Sequence, residues 1–460
     1  MLASVRPLLA PAGVTRLANI TGLDHIGIPV VVSVRPNGRT LSQAAGTGVT
    51  LELATLSAAM ESIELYHAEF ASLPVVCKSY VELAQEYTVI PVEDLPLSRH
   101  SIFSPLTVER WTFGVNLLAP EARAARLVSS LDKNRAAGAP MQYPSGGALQ
   151  GDVRRGQLQE PSGGRPVVDT RGGQRHDNAH GAPWDPAARE AIDAAMVAVP
   201  LDIVVLPRRT ERVSESSLFS FQTTSNGLAS GCAFIEALTV GLLEVIERDA
   251  VACCGVAARL GRATPRVRVE SANNFPLAAE LLDQLTNAGV HAIVYDCTVD
   301  TCVPVYRAVL YEAAERRVGL AEGWGAHLDA ELALVRALTE AAQSRAVSIA
   351  GARDDRFGRE IARARLTDSA ARIAELEAQP PTVDLRASHA APTFEADVET
   401  LLDRLVHVGV TQAIVVDLTL PAFGETLSVV RVIVPRLDGP GFDRGDPSPR
   451  AAAFAAGTRP

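Results

Sequence analysis

Two distant stretches of the chain repeat one pattern of apolar and polar positions. LLDQLTNAGVHAIVYDCT (281–298) and LLDRLVHVGVTQAIVVDLT (401–419) each open with apolar residues at helical spacing, pass through a Gly-Val pair and close on a β-branched run ending in Asp and Thr. Each is followed by a second β-rich apolar segment, VPVYRAVLY (303–311) and LSVVRVIVP (427–435). The spacing predicts two copies of a helix-strand-strand unit. Near the start, IPVVVSV (28–34) is short and β-branched enough for a buried strand, and a helix is predicted near 52–70. Two more helices are predicted, near 329–350 and 359–378. The expected class is α/β (α+β), with internal pseudo-repeats and mixed sheets backed by helices.

The pattern breaks in the middle. Residues 134–188 are rich in Gly, Pro, Arg and Gln and carry too little apolar surface to order themselves. The expected organisation is therefore an N-terminal part (1–133), a flexible insertion (134–188), the remainder of the same domain (189–437) and a loosely ordered tail (438–460) containing Pro440, Pro447, Pro449 and Pro460.

Composition narrows the function. A chain of 460 residues with 47% hydrophobic and 21% charged content is that of a globular protein with a large core. Its net charge of −10 argues against a nucleic-acid partner and against docking on an anionic membrane. The first twenty residues are interrupted by Arg6, Pro7, Pro11 and Arg16, and no run of about 18 apolar residues occurs, so a cytoplasmic location is expected. The six cysteines form no CxxC pair and are expected to be reduced thiols.

Against this background two acidic clusters stand out. SAAMESIE (57–64) places Ser57, Glu61 and Glu64 on one stripe of an apolar helix. FIEALTVGLLEVIERDA (234–250) places Glu236, Glu244 and Glu247 within about 80° of one another. Several carboxylates among Ala, Leu, Ile and Val repel one another unless a cation offsets them. Oxygen-only ligands favour Mg2+, and Mg2+ usually accompanies a phosphate. No GxxxxGK[ST] loop is present, and neither GTG (46–48) nor GWG (323–325) extends to a dinucleotide GxGxxG. A nucleotide would be held through carboxylate-bound Mg2+. A third reading, a metal-dependent hydrolase without nucleotide, would need a His or Asp cluster that the scattered histidines do not supply.

These residues also resemble a known family. SAAMESIE fits the Sx3ExxE motif of YcaO-domain proteins, and SNGLASGCAFIEALTVGLLEVIERDA (225–250) is similar to their second signature, a Glu followed eight residues later by ExxER. TRLANITGLDHIGIPVVVSVRP (15–36), RALTEAAQSR (336–345) and IAGARDD (349–355) add to the likeness, which spans nearly all of the chain outside the insertion and tail. The wording resembles the subgroup encoded beside TfuA-type partners. The resemblance implies ATP- and Mg2+-dependent phosphorylation of a backbone amide oxygen in a ribosomally made peptide, giving an azoline or a thioamide. Thioamide formation is preferred, because azoline-forming relatives typically end in PxPxP and this chain has only Pro447 and Pro449.

By the same resemblance, Ser57, Glu61 and Glu64 would line one side of an ATP and Mg2+ site, and Glu236, Glu244, Glu247 and Arg248 the other, with Arg248 on phosphate oxygens. The five glutamates would be the metal ligands, and Gln343 and Arg345 would close the phosphate pocket. A TfuA-like partner protein and a homodimer are also implied. The sequence departs from the family at Thr47, where GKG is common, and in the stretch Ala229 to Cys232, which reads Ala-Ser-Gly-Cys where SNGLAAGN is common; Ser230 and a water could substitute for the missing Asn. These departures motivate an alternative, a catalytically weakened scaffold or substrate-binding subunit. His67 and His327 are read as structural.

Overall fold

The computed structural model describes residues 1–98, 101–120, 186–206, 220–312, 319–351, 369–439 and 448–457. In chain order its principal elements are β1 (Arg16–Asn19), β2 (Val30–Val34), β3 (Gln43–Thr47), α1 (Leu51–Phe70), β4 (Val76–Ser79), β5 (Val108–Asn116), β6 (Met196–Pro200), β7 (Leu228–Gly231) and α2 (Phe234–Arg259). There follow β8 (Arg266–Val267), α3 (Pro276–Asn287), β9 (His291–Asp296), β10 (Val305–Tyr311), β11 (Ala321–Ala326), α4 (Ala330–Ala350), β12 (Pro381–Val383), α5 (Phe394–His407), β13 (Ile414–Asp417), β14 (Ser428–Ile433) and α6 (Pro449–Ala456).

The strands form three sheets. One is β1-β2-β3, one is β11-β10-β9-β8-β12, and one is β4-β5-β13-β14-β7 with β6 paired to β5. Only β8 and β12 run parallel; the other named pairings are antiparallel. The class is the expected mixed α+β one.

Both halves of the sequence repeat fold alike. In α3-β9-β10 and α5-β13-β14 the helix ends at a glycine with positive φ, Gly289 (+71°) or Gly409 (+84°), a conformation open to glycine without strain. The Asp-x-Thr that closes each strand then builds the same turn. Asp296 accepts from the Thr298 N–H at 3.0 Å and Thr298 Oγ1 accepts from the Val305 N–H at 3.1 Å. Asp417 and Thr419 do the same with the N–H groups of Thr419 and Val429, at 2.9 and 2.7 Å.

A second recurrence positions the site. Among the described residues, three edge strands lead directly into long helices: β3 into α1, β7 into α2 and β11 into α4. Each carries a glycine where the helix crosses it. A side chain at Gly46 would collide with main-chain atoms of Ala54 and Ala58, one at Gly231 with Ala237 N, and one at Gly323 with Ala337 and Ala341. The three units also touch in a ring, α1 against β7, α2 against β11 and α4 against β3. The last junction is closed by Val30, Ala45, Ala346 and Val347.

Helix α2, of 26 residues and so about 39 Å long, joins the two larger sheets. Its first half, with Phe234, Leu238, Leu242 and Ile246, packs in the core of the six-stranded sheet. Its second half, with Ala250, Cys253 and Val256, packs against Ile293, Val305 and Val309 of the five-stranded one. Glu244 and Glu247 lie where it passes from one to the other.

The expected tail needs a correction. Residues 449–456 form helix α6, capped by Ser448 and docked on α2. Arg450, 5% exposed, grips Asp249 with Nε and Nη2 at 2.8 Å each, and Nη2 also reaches Asp300 at 2.7 Å. The buried ion pair and the apolar Ala451 and Ala455 supply order that the proline content hid. Of the insertion, residues 134–185 lie outside the described ones, and 186–188 begin a helix, Pro186–Ala194. The helix expected near 359–378 is seen as Ser369–Ala378, its earlier part lying outside the described residues. Among the described residues no helix is long and apolar enough to cross a membrane.

Candidate active site

The ring brings acidic side chains from three helices to its edge strands. On α1, Glu64 accepts a hydrogen bond from Ser230 Oγ of β7 at 2.5 Å. On α2, Glu247 accepts from the Ala326 N–H of β11 at 2.9 Å, and on α4, Glu340 accepts from the Trp324 N–H of the same strand at 2.8 Å. Trp324 and Ala326 are two residues apart, so both N–H groups point away from β10 on the unpaired side of β11. Glu236, in the first turn of α2, accepts from the Cys232 N–H at 2.7 Å. Arg248 lies 3.8 Å from Glu244, both partly open to solvent.

The positive charge near these carboxylates does not offset their burial. Burial pushes Glu64 up to about 8, and the charges of Glu244 and Glu61 push the same way against the Ser230 hydrogen bond. Burial likewise raises Glu244 to about 7, with Glu247 adding to it and Arg248 opposing it. Glu340 is raised by burial and then by Glu247. Half-buried acids that resist ionisation together are groups whose charged forms a nearby cation would stabilise. Among the described residues no three His, Cys, Asp or Glu side chains converge closely enough to hold a metal alone. Mg2+ bound together with a nucleotide takes one or two carboxylates, with phosphate oxygens and water completing its shell.

Of the residues expected from sequence, Glu61, Glu64, Glu244, Glu247 and Arg248 share this neighbourhood. Ser57 is exposed, beside the close approach of Gly46. Gln343 is half-buried on α4. Arg345 is the residue expected to close the phosphate pocket. It is 2% exposed, its Nε donates to Asp24 at 2.8 Å, and its Nη2 donates to Glu312. Its charge is matched by protein carboxylates at the third junction of the ring. Thr47, at the position of the family's Lys, donates its hydroxyl to the Pro29 carbonyl at 3.0 Å. The sequence reading passed over Glu340, although it sits among Ala337, Ala341 and Ala342 in the same apolar setting that marked the other glutamates.

Residues 170–438 match the model of the YcaO cyclodehydratase family, described as ATP- and Mg2+-binding. The chain belongs to the YcaO family. A protein of the tfuA 3′ region of Rhizobium leguminosarum bv. trifolii is 29% identical over 95% of this chain and 86% of its own length. A Methanothermobacter thermautotrophicus protein is 30% identical over 94% of this chain and 91% of its own. Among solved structures, the YcaO protein of Methanopyrus kandleri bound with AMPPCP and Mg2+ superposes with a TM-score of 0.61 at 20% identity, covering 97% of this chain and 93% of that one. A heterocyclase in complex with substrate and cofactor superposes with a TM-score of 0.64 at 19% identity, over 95% of this chain and 52% of that one. ATP and Mg2+ are thus the cofactors of the family to which this YcaO protein belongs.

Proposed function

We propose that this YcaO protein uses ATP and Mg2+ to activate a backbone amide of a ribosomally synthesised peptide, with a thioamide as the preferred product over an azoline. The observation that carries the reading is the convergence of Glu64, Glu244, Glu247 and Glu340 from three helices, with Glu64 and Glu244 resisting ionisation to about 8 and 7. When bound, Mg2+-ATP supplies the phosphoryl group that turns an inert amide oxygen into a leaving group. Glu61, Glu64, Glu236, Glu244 and Glu247 are the proposed cation ligands. Glu340 joins them on the strength of its position, while Arg248 and the more exposed Arg336 face the phosphates with positive charge. Ser230 and the two N–H groups of β11 fix three carboxylates in place, which lowers the reorganisation needed as charge develops.

A TfuA-like partner is proposed on the strength of the likeness to the protein of the tfuA 3′ region, and a homodimer belongs to the same proposal. The deciding experiment incubates the purified protein and its partner with ATP, sulfide and a peptide encoded beside the gene. Replacement of oxygen by sulfur in the peptide mass supports thioamidation; loss of water would assign azoline formation instead. Phosphate release without either change would defeat the peptide substrate.

A second reading, a scaffold subunit with a weakened site, is favoured by Thr47 and Cys232. The Thr47 hydroxyl is engaged with Pro29. Burial and Glu236 raise the Cys232 thiol, leaving it neutral and a poor Mg2+ ligand. Calorimetric titration separates the two: absence of heat with millimolar ATP and Mg2+ selects the scaffold.

A further inference from the structure

Behind the carboxylates lies a cation that neither motif contains. Arg431 is on β14, opposite Leu228 of β7, and so emerges on the same face of the sheet as Ser230, the residue that binds Glu64. It is 1% exposed and makes no ion pair within 4 Å among the described residues. Main-chain carbonyls hold it instead: Nε donates to Val204 at 3.1 Å and Nη1 to Asn226 at 2.9 Å, while Nη2 is buried with no hydrogen-bond partner among the described residues. A buried guanidinium without a carboxylate in contact is costly unless a charge nearby offsets it. The carboxylates that act on it are Glu244 and Glu64.

We propose that Arg431 is a positioning residue of the acidic site, a fixed positive charge pinned behind Glu64 and Glu244 that tilts the cluster from trapping a bare cation toward accepting a cation together with an anionic nucleotide. The inference rests on the reading of this cluster as a Mg2+ and nucleotide site. Burial lowers Arg431 only to about 10, so it stays charged at neutral pH. The other charged groups that act on those two carboxylates come from each packed element: Glu61 on α1, Glu247 and Arg248 on α2, and Arg336 on α4. Asp202, on the turn beside Val204, is already paired with Arg110 at 3.0 Å. Arg248 and Arg336 are open to water and can turn toward a ligand, whereas Arg431 is held rigidly by two carbonyls and cannot. Its effect is therefore a constant bias on the carboxylates.

The bias makes two affinities move in opposite directions. Removing one buried positive charge strengthens the attraction of Glu64 and Glu244 for a bare divalent cation and weakens the attraction of the whole site for a polyanion. Mg2+ binding to the nucleotide-free protein, and binding of a non-hydrolysable ATP analogue at saturating Mg2+, are measured by calorimetry at pH 8.5 for wild type, Arg431→Met and Arg431→Lys. The methionine variant is expected to bind Mg2+ alone about tenfold more tightly and the nucleotide about tenfold more weakly, with the lysine variant close to wild type in both. A methionine variant that loses both affinities together, or neither, overturns the proposal, since damage to packing has no reason to improve Mg2+ binding. Should the methionine variant not fold, Arg431→Gln takes its place with the same two expectations, and a joint loss or no change of both affinities overturns the proposal. Wild-type protein that binds no Mg2+ and nucleotide defeats the functional reading itself, an outcome distinct from wild-type binding that is indifferent to Arg431.

Discussion

Replacing Glu64 by Gln isolates the electrostatic cost of the site in the cation-free protein. Folding raises the Glu64 carboxyl from 4.5 to about 8, chiefly by burial. A group raised on folding stabilises the protein while it is protonated; that contribution is complete below about pH 4.5 and is lost as pH climbs through about 8. At about 1.4 kcal/mol per pH unit the ceiling is about 5 kcal/mol, and the partial exposure of the side chain reduces this to roughly 2–3 kcal/mol. Glu244 moves in the same direction, but it shares the same neighbouring charges, so its share is not added. With an unfolding entropy of about 2.1 cal/mol/K per residue, the 460 residues melt with about 1 kcal/mol/K. Glu64→Gln keeps an oxygen for Ser230 Oγ and carries no charge. In EDTA its Tm is expected to exceed that of wild type by roughly 2–3 °C at pH 8.5 and to equal it at pH 5. Mg2+ with a non-hydrolysable ATP analogue is expected to raise wild type more than the variant and so close the gap. Equal Tm shifts at both pH values, or a loss at both, would refute the reasoning.

Other substitutions test the frame and the chemistry. Glu247→Gln removes a charge and keeps an acceptor for the Ala326 N–H, so phosphate release is expected to fall by about 10²-fold or more without loss of Tm; unchanged release would remove Glu247 from the site. Gly323→Ala drives a methyl into the backbone of Ala337 and Ala341 and is expected to cost about 2–3 kcal/mol in urea unfolding. Gly255→Ala, in α2 with open space around it, is expected to stabilise by about 0.5–1 kcal/mol. Arg450→Met strands the fully buried Asp249 and is expected to cost about 3–5 kcal/mol, with Asp249→Asn in the same chain recovering part of the loss.

How much of this was legible in the sequence depends on how far each partner lies along the chain. The helix-strand-strand repeat was legible because its signals are local: a helical apolar stripe, a glycine, a β-branched run and an Asp-x-Thr that closes its own turn. The acidic walls were legible because charge inside an apolar helix is anomalous in any fold. Arg345 was not, since its partner Asp24 is 321 residues away and nothing near it in sequence shows that its charge is already matched. The glycines of GTG and GWG looked like fragments of a phosphate loop that led nowhere; their work is steric, letting α1 and α4 lie directly on β3 and β11. Helix α6 was hidden by the prolines around it, because Pro449 at its first turn costs the helix nothing and the grip of Arg450 on Asp249 is a contact across 201 residues.

The edge strands explain why the glutamates gather where they do. An exposed sheet edge presents unpaired N–H groups that invite another strand, and proteins normally blunt it. Here β11 carries the Trp324 and Ala326 N–H groups on its open side, and Glu340 and Glu247 accept from them. The same contacts bring two carboxylates close enough to raise the cost of ionising both. Covering the edge with Gln would satisfy the N–H groups equally well and without repulsion. Carboxylates in these positions are a worse solution for stability alone, and become the better one only when a cation is to be bound between the helices. Such a site depends on the strand as much as on the helices: a variant that shifts the register of β11 against β10 by one residue would turn both N–H groups inward and release Glu247 and Glu340 together, with each helix itself unchanged.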